Sequence, residues 1–167
     1  MRAGRRSNVC GGDEMGITGM DHVEVWAKDM QESLAFYTDV LGFRHLRTTV
    51  AHRPDGTAHE QACITLGGMM VELIAAPAER ASEEVDVGRM GVKAIALTVE
   101  DMEATAAALR ERGVTFVQEP KSGSSFNGWR AEILDPNGIG IELREWIGDS
   151  IHNETWQPAS DAVSRTA

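Results

Sequence analysis

Apolar and polar residues alternate along Gly19-Met20-Asp21-His22-Val23-Glu24-Val25-Trp26, the period-two pattern of a half-buried strand. The period then changes. Asp29 is followed three residues on by Glu32, a capping-box arrangement at a helix start. Met30, Leu34, Tyr37 and Leu41 recur at helical spacing, and Gly42 ends the run where a C-cap glycine belongs. The same succession returns later. Val92 to Val99 reads as a strand, Asp101 caps a helix carrying Met102, Ala106 and Leu109, and Gly113 closes it. Asp101 lies 72 residues after Asp29, and Gly113 lies 71 after Gly42. Gly68-Met69-Met70-Val71-Glu72-Leu73 and Gly138-Ile139-Gly140-Ile141-Glu142-Leu143 share a glycine, three residues, then Glu-Leu, at an offset of 70. In each half a further strand precedes the turn, at 62–66 and 129–134. The turns Gly67-Gly68 and Asp135-Pro136-Asn137-Gly138 suit hairpins.

Each half therefore reads as strand, helix, then three strands. The predicted fold class is α+β: two tandem βαβββ modules forming curled mixed sheets around a concave cup. Module 1 spans 19–76 and module 2 spans 90–146. Residues 77–89, opened by Pro77 and rich in Ala and Glu, read as a linker. Residues 1–18 read as a flexible N-terminal segment, and 147–167 as a C-terminal tail. The polar stretch from His52 to Gln61 reads as a loop between strands, with His45, His52 and His59 around it in solvent. Lys121 to Gly128 reads as a flexible loop.

Strand alternation assigns faces. Val23, Val25 and Ala27 share the face beneath the helix, which leaves His22, Glu24 and Trp26 on the concave side. In the same way Met70, Glu72 and Ile74 face the cup, as do Gly140, Glu142 and Arg144. A carboxylate in the middle of an apolar strand needs a reason, because burying its charge unpaired costs several kcal/mol or shifts its pKa. The chain does this twice at equivalent places, with a histidine on a third strand. Imidazole and carboxylates together suit Zn, Ni, Fe, Mn or Co.

Composition narrows the partners. The formal charge of −10 at pH 7 disfavours nucleic acid and anionic membranes. The basic start lacks the apolar stretch of a signal peptide. With two cysteines, Cys10 and Cys63, a reducing cytoplasm is the simpler expectation than a disulfide. No window reaches the length of a membrane-spanning helix.

With these residues in place, 19–146 resembles the vicinal-oxygen-chelate superfamily. The resemblance is carried by Asp21-His22-Val23, by the run from Phe36 to Phe43, by Val71-Glu72-Leu73, and by Asp135-Pro136-Asn137-Gly138 leading into Ile141-Glu142-Leu143. It implies a divalent metal held by His22, Glu72 and Glu142, with Glu72 and Glu142 as catalytic carboxylates. The fourth ligand of the glyoxalase-like branch would fall at Ala94, which cannot bind metal. The pocket residues implied are Glu24, Trp26, Met70, Trp129, Arg130 and Arg144. The implied activity is that of a metal-dependent lyase or isomerase acting next to a carbonyl of a small-molecule substrate, in a homodimer. A metal-free antibiotic-binding protein and an Fe(II)-dependent dioxygenase are the alternatives.

Overall fold

The computed structural model describes residues 20–83, 91–122 and 127–148. Eight strands fall into two sheets of four. β1 (His22–Ala27), β2 (Arg44–His52), β3 (Ala58–Leu66) and β4 (Met69–Ala75) build the first, in the order β1-β4-β3-β2. β5 (Ala94–Thr98), β6 (Phe116–Ser122), β7 (Gly128–Leu134) and β8 (Gly140–Trp146) build the second, in the order β5-β8-β7-β6. β1 runs parallel to β4 and β5 to β8, while the remaining pairs are antiparallel. The two sheets are thus the same module twice, as the offsets predict.

The helices begin where their caps place them. Asp29 accepts the Glu32 N–H at 2.9 Å, and α1 runs Met30–Ala35. Asp101 accepts the Ala104 N–H at 2.9 Å, and α3 runs Met102–Glu111. Gly42 and Gly113 close the two helical runs with φ of +77° and +80°, a conformation that suits glycine. α1 passes into a π turn over Phe36–Val40, with Leu41 N–H donating to the Phe36 carbonyl. Met30, Ser33 and Tyr37 face inward at helical spacing, and the wider turn rotates the following Leu41, expected on the apolar stripe, so that it is only half-buried. α3 buries Met102, Ala106 and Leu109. Full burial of a Met or Leu side chain stabilises by about 1.5–3 kcal/mol.

One apolar core draws on both modules, with Tyr37, Ile64 and Leu73 from the first and Ile133, Ile141 and Leu143 from the second. A polar seam joins them. Asp135 and Asn137, in the turn before β8, are buried. Asp135 accepts from the Tyr37 hydroxyl at 3.1 Å, and Asn137 Oδ1 accepts the Lys28 N–H at 2.7 Å. Asn137 Nδ2 donates to Ser33 Oγ at 3.1 Å. The start and face of α1 are thereby docked on the second module's turn.

Two expectations change. The stretch His52–Gln61 is half strand: β2 runs to His52, β3 begins at Ala58, and only 53–57 connect them. Asp55 accepts from both the backbone and hydroxyl of Thr57, tightening that turn and letting the ladder extend. The segment expected as a linker contains a short helix, α2 (Ala78–Ala81), before the described residues stop at 83. Cys10, the N-terminal segment, most of the tail and the Ser-rich tip of 123–126 lie outside the described residues. Among the described residues no helix is long and apolar enough to cross a membrane.

Candidate metal centre

Parallel pairing of β1 with β4 puts Glu24 directly opposite Glu72, and His22 opposite Met70. Because side chains alternate, His22 and Glu24 share one face with Glu72 beside them. His22 Nε2 lies 3.6 Å from Glu24 Oε1 and 3.6 Å from Glu72 Oε2. One ligand atom from each of the three residues falls within 4.8 Å of the others. On the other side of the ring, Nδ1 is 2.8 Å from Asp21 Oδ2. A carboxylate there holds the proton on Nδ1 and turns Nε2 toward the two glutamates. The hydrogen bond to Asp21 raises the His22 pKa above its ordinary value. Desolvation opposes this, second in size to the Asp21 hydrogen bond, while the charge of Glu72 and a hydrogen bond to Glu24 add smaller upward pushes.

Glu72 is 7% exposed and both its oxygens are held. Oε2 accepts from Gln61 Nε2 at 2.6 Å, and Oε1 accepts from the Cys63 thiol at 3.3 Å. Cys63 is the register partner of Glu72 on β3, and Gln61 lies one rung along. Two carboxylates facing each other across adjacent strands repel. An imidazolium or a divalent cation between them removes that cost. The donor set of one imidazole and two carboxylates fits a divalent metal such as Zn, Ni, Co, Mn or Fe.

The cluster has Glu24 where the resemblance implies Glu142. Glu24 gets there by strand pairing alone. Glu142 stands on β8 in the other sheet, opposite Glu132, with Oε1 3.2 Å from Arg144 Nη2. In the second module Ala94 pairs with Gly140 as His22 pairs with Met70, and Ala96 pairs with Glu142 as Glu24 pairs with Glu72. Two alanines therefore stand in the places of His22 and Glu24.

The expected pocket residues divide. Trp26, Met70 and Glu24 share the face of the cluster. Arg80, from α2, sits with its guanidinium 5.9 Å from the centre of the Trp26 ring. Arg130 and Arg144 are register partners on the equivalent face of the second sheet. Trp129 is a correction. It shares its face with the buried Ala131 and Ile133, so it turns toward α3. There it lines a cavity of about 530 Å³ with Met102, Ala106, Pro120 and Glu145. Adjacent residues of a strand cannot both face the cup, and burial of Ala131 and Ile133 decides the phase for Arg130. Gln61 and Cys63 were not singled out from sequence. The two-residue turn Gly67-Gly68 was the available signal, because it fixes which β3 residues oppose Glu72.

A family model described as the Glyoxalase/Bleomycin resistance protein/Dioxygenase superfamily matches residues 19–143. A probable lactoylglutathione lyase from Synechocystis sp. is 31% identical over 130 residues, covering 73% of this chain and 91% of its own. Among solved structures, a glyoxalase family protein from Enterococcus faecalis superposes with a TM-score of 0.60. It is 27% identical and covers 76% of this chain and 97% of its own. An antibiotic binding protein from Streptomyces sp. CB03234 shares the fold, with a TM-score of 0.58 at 22% identity over 80% of this chain and 98% of its own.

Proposed function

The chain belongs to the Glyoxalase/Bleomycin resistance protein/Dioxygenase superfamily, and from that premise we propose that it is a metal-dependent lyase or isomerase acting beside a carbonyl of a small-molecule substrate. The observation that carries this reading is the oriented His22. Its Nδ1 is held by Asp21, and its Nε2 faces Glu24 and Glu72 at 3.6 Å. A divalent ion bound there supplies Lewis acidity at a substrate carbonyl oxygen. Gln61 and Cys63 keep the Glu72 carboxylate in one orientation toward that position. The likeness to a probable lactoylglutathione lyase supports the lyase side of the reading.

Glu142 enters through a homodimer. Among the described residues β1 pairs with β4 alone, so the cluster stands at the margin of its sheet. In this reading Glu142 of the partner subunit completes the site and acts as the base. The proton on the carbon beside the carbonyl passes to its carboxylate and returns to the neighbouring carbon.

Reconstitution with Ni, Co, Zn, Mn and Fe tests the metal. One equivalent per chain is expected, and content far below that for every metal sinks the enzyme reading. Glu142→Gln is expected to abolish turnover with the fold intact. Mixing His22→Ala chains with Glu142→Gln chains then restores part of the turnover, because each mixed dimer rebuilds one intact site. No recovery on mixing removes Glu142 from the shared site. Ala94 and Ala96 favour a second reading, a metal-free protein that binds a small molecule, and the same reconstitution separates the two.

A further inference from the structure

We propose that the face of the second sheet turned away from α3 is an anion-binding subsite, in which Arg130, Lys121 and Gln118, flanked by Arg144, hold a carboxylate or phosphate group of a small-molecule ligand. As a statement about substrate it rests on the small-molecule reading above, but the site is built from different residues.

Pairing puts three cations in one row. Lys121 is opposite Arg130, and Arg130 is opposite Arg144, so all three share a face of β6, β7 and β8. Like charges directly opposite each other on a sheet destabilise it. In a chain of net charge −10 this row runs against the overall composition. The neighbouring row, Gln118–Glu132–Glu142, supplies acids, but these are engaged. Glu132 binds Lys93 at 2.8 Å, and Glu142 binds Arg144 at 3.2 Å. Among the described residues neither Arg130 nor Lys121 forms an ion pair.

The uncommitted groups are all donors. Arg130 Nε and Gln118 Nε2 are buried with no hydrogen-bond partner among the described residues. A buried N–H without an acceptor is costly, and native proteins rarely leave one so. Water would satisfy the hydrogen bonds but not the row of charge. A carboxylate or phosphate supplies both, and its oxygens match the guanidinium fork. Arg144, braced by Glu142 and lying 5.6 Å from the centre of the Trp146 ring, adds fixed positive potential beside them.

Calorimetric titration of the full chain with inorganic phosphate and, separately, succinate tests this without added metal. Saturable binding that weakens with added salt is expected. Arg130→Gln and Lys121→Gln should each weaken it by about tenfold or more, the loss of one charge-assisted hydrogen bond. The tighter of the two probes identifies phosphate or carboxylate as the group bound. His22→Ala should bind both probes as the parent does, so failure of the metal reading leaves this result standing. Lys121→Gln also relieves the charge row. Its melting temperature without anion should rise by about 1–2 °C, while the stabilisation by phosphate is lost. No saturable binding of either probe overturns the proposal. So does parental binding in Lys121→Gln, an exposed position that decides the matter even if Arg130→Gln fails to fold. Loss of binding in His22→Ala alone would move the anion to the other sheet and overturn it as well.

Discussion

Tyr37→Phe measures what the seam between the modules contributes. Tyr37 is fully buried, its ring meets Phe36 and Phe43 edge-on, and its hydroxyl donates to Asp135 at 3.1 Å. The substitution keeps the ring and removes one hydrogen bond. A bond to a charged acceptor contributes about 1.5–3 kcal/mol. Here the contribution falls to the bottom of that range or just below it, because Asp135 keeps three other donors: Ile139 N–H at 2.7 Å, Asn137 N–H at 2.9 Å and Asn137 Nδ2 at 2.9 Å. A loss of about 1–1.5 kcal/mol is expected, or about 2–6 °C in melting temperature for a chain of this size. Urea unfolding followed by circular dichroism reads it, with an unchanged m-value. The pH dependence adds a second check. Burial, then the charge and hydrogen bond of Asp135, push the Tyr37 pKa far above its usual value. A group whose folded pKa is raised stabilises the protein below its unfolded pKa, and that stability is lost as pH rises. The gap between parent and Tyr37→Phe should therefore narrow above about pH 10, where the unfolded tyrosine ionises. A difference under about 0.3 kcal/mol at neutral pH refutes the assigned role.

Two further outcomes concern the metal cluster. A proton on His22 Nε2 competes with metal, and Asp21 raises the pKa of that ring, so metal affinity should fall as pH drops through a value above the ordinary 6.5. Asp21→Asn should move this falling limb to lower pH and weaken metal binding by about 10–100-fold, measured by metal titration across pH; an unmoved limb rules out orientation by Asp21. Cys63→Ser keeps a donor to Glu72 Oε1 and should hold metal as the parent does, whereas Cys63→Val removes the donor and should weaken binding severalfold. Equal affinities in the two variants would show that the thiol does not position Glu72.

Much of the fold was legible because the chain states it twice. The caps Asp29 and Asp101, the closing glycines and the Glu-Leu strands each recur at nearly one offset, and each has a local physical cause. Strand phase was legible wherever burial is one-sided, as in β1, where Val25 and Ala27 are buried and Trp26 is exposed. At Trp129 the resemblance implies the cup, whereas alternation with the buried Ala131 and Ile133 places it on the helix-facing side. The partners of Glu72 could have been found by register. The turn at Gly67-Gly68 pairs Leu66 with Met69, and continuing the ladder pairs Cys63 with Glu72 and Gln61 with Ile74. The parallel pairing of β1 with β4 could not have been found so, because α1 and two strands intervene and no turn sets that register. That pairing is what brings Glu24, rather than Glu142, beside His22 and Glu72.

The repeat also explains why the two sheets differ in chemistry. A duplicated module presents the same rungs twice, and each rung can be filled independently provided the face toward the helix stays apolar. In the first sheet the rung Glu24–Glu72–Cys63–Arg47 gathers carboxylates beside His22. In the second the same rung reads Ala96–Glu142–Glu132–Gln118, and the next one, Thr98–Arg144–Arg130–Lys121, is basic. The buried sides stay alike, with Val71 and Leu73 matched by Ile141 and Leu143. Packing therefore constrains the same face of both modules. The other face is less constrained, and in the readings proposed above it carries a cation site in one module and an anion site in the other, a division that would suit a substrate with both a metal-binding oxygen and an acidic group. Replacing Ala94 with His or Ala96 with Glu should leave the helix-facing core unchanged, because both positions belong to the face that carries chemistry.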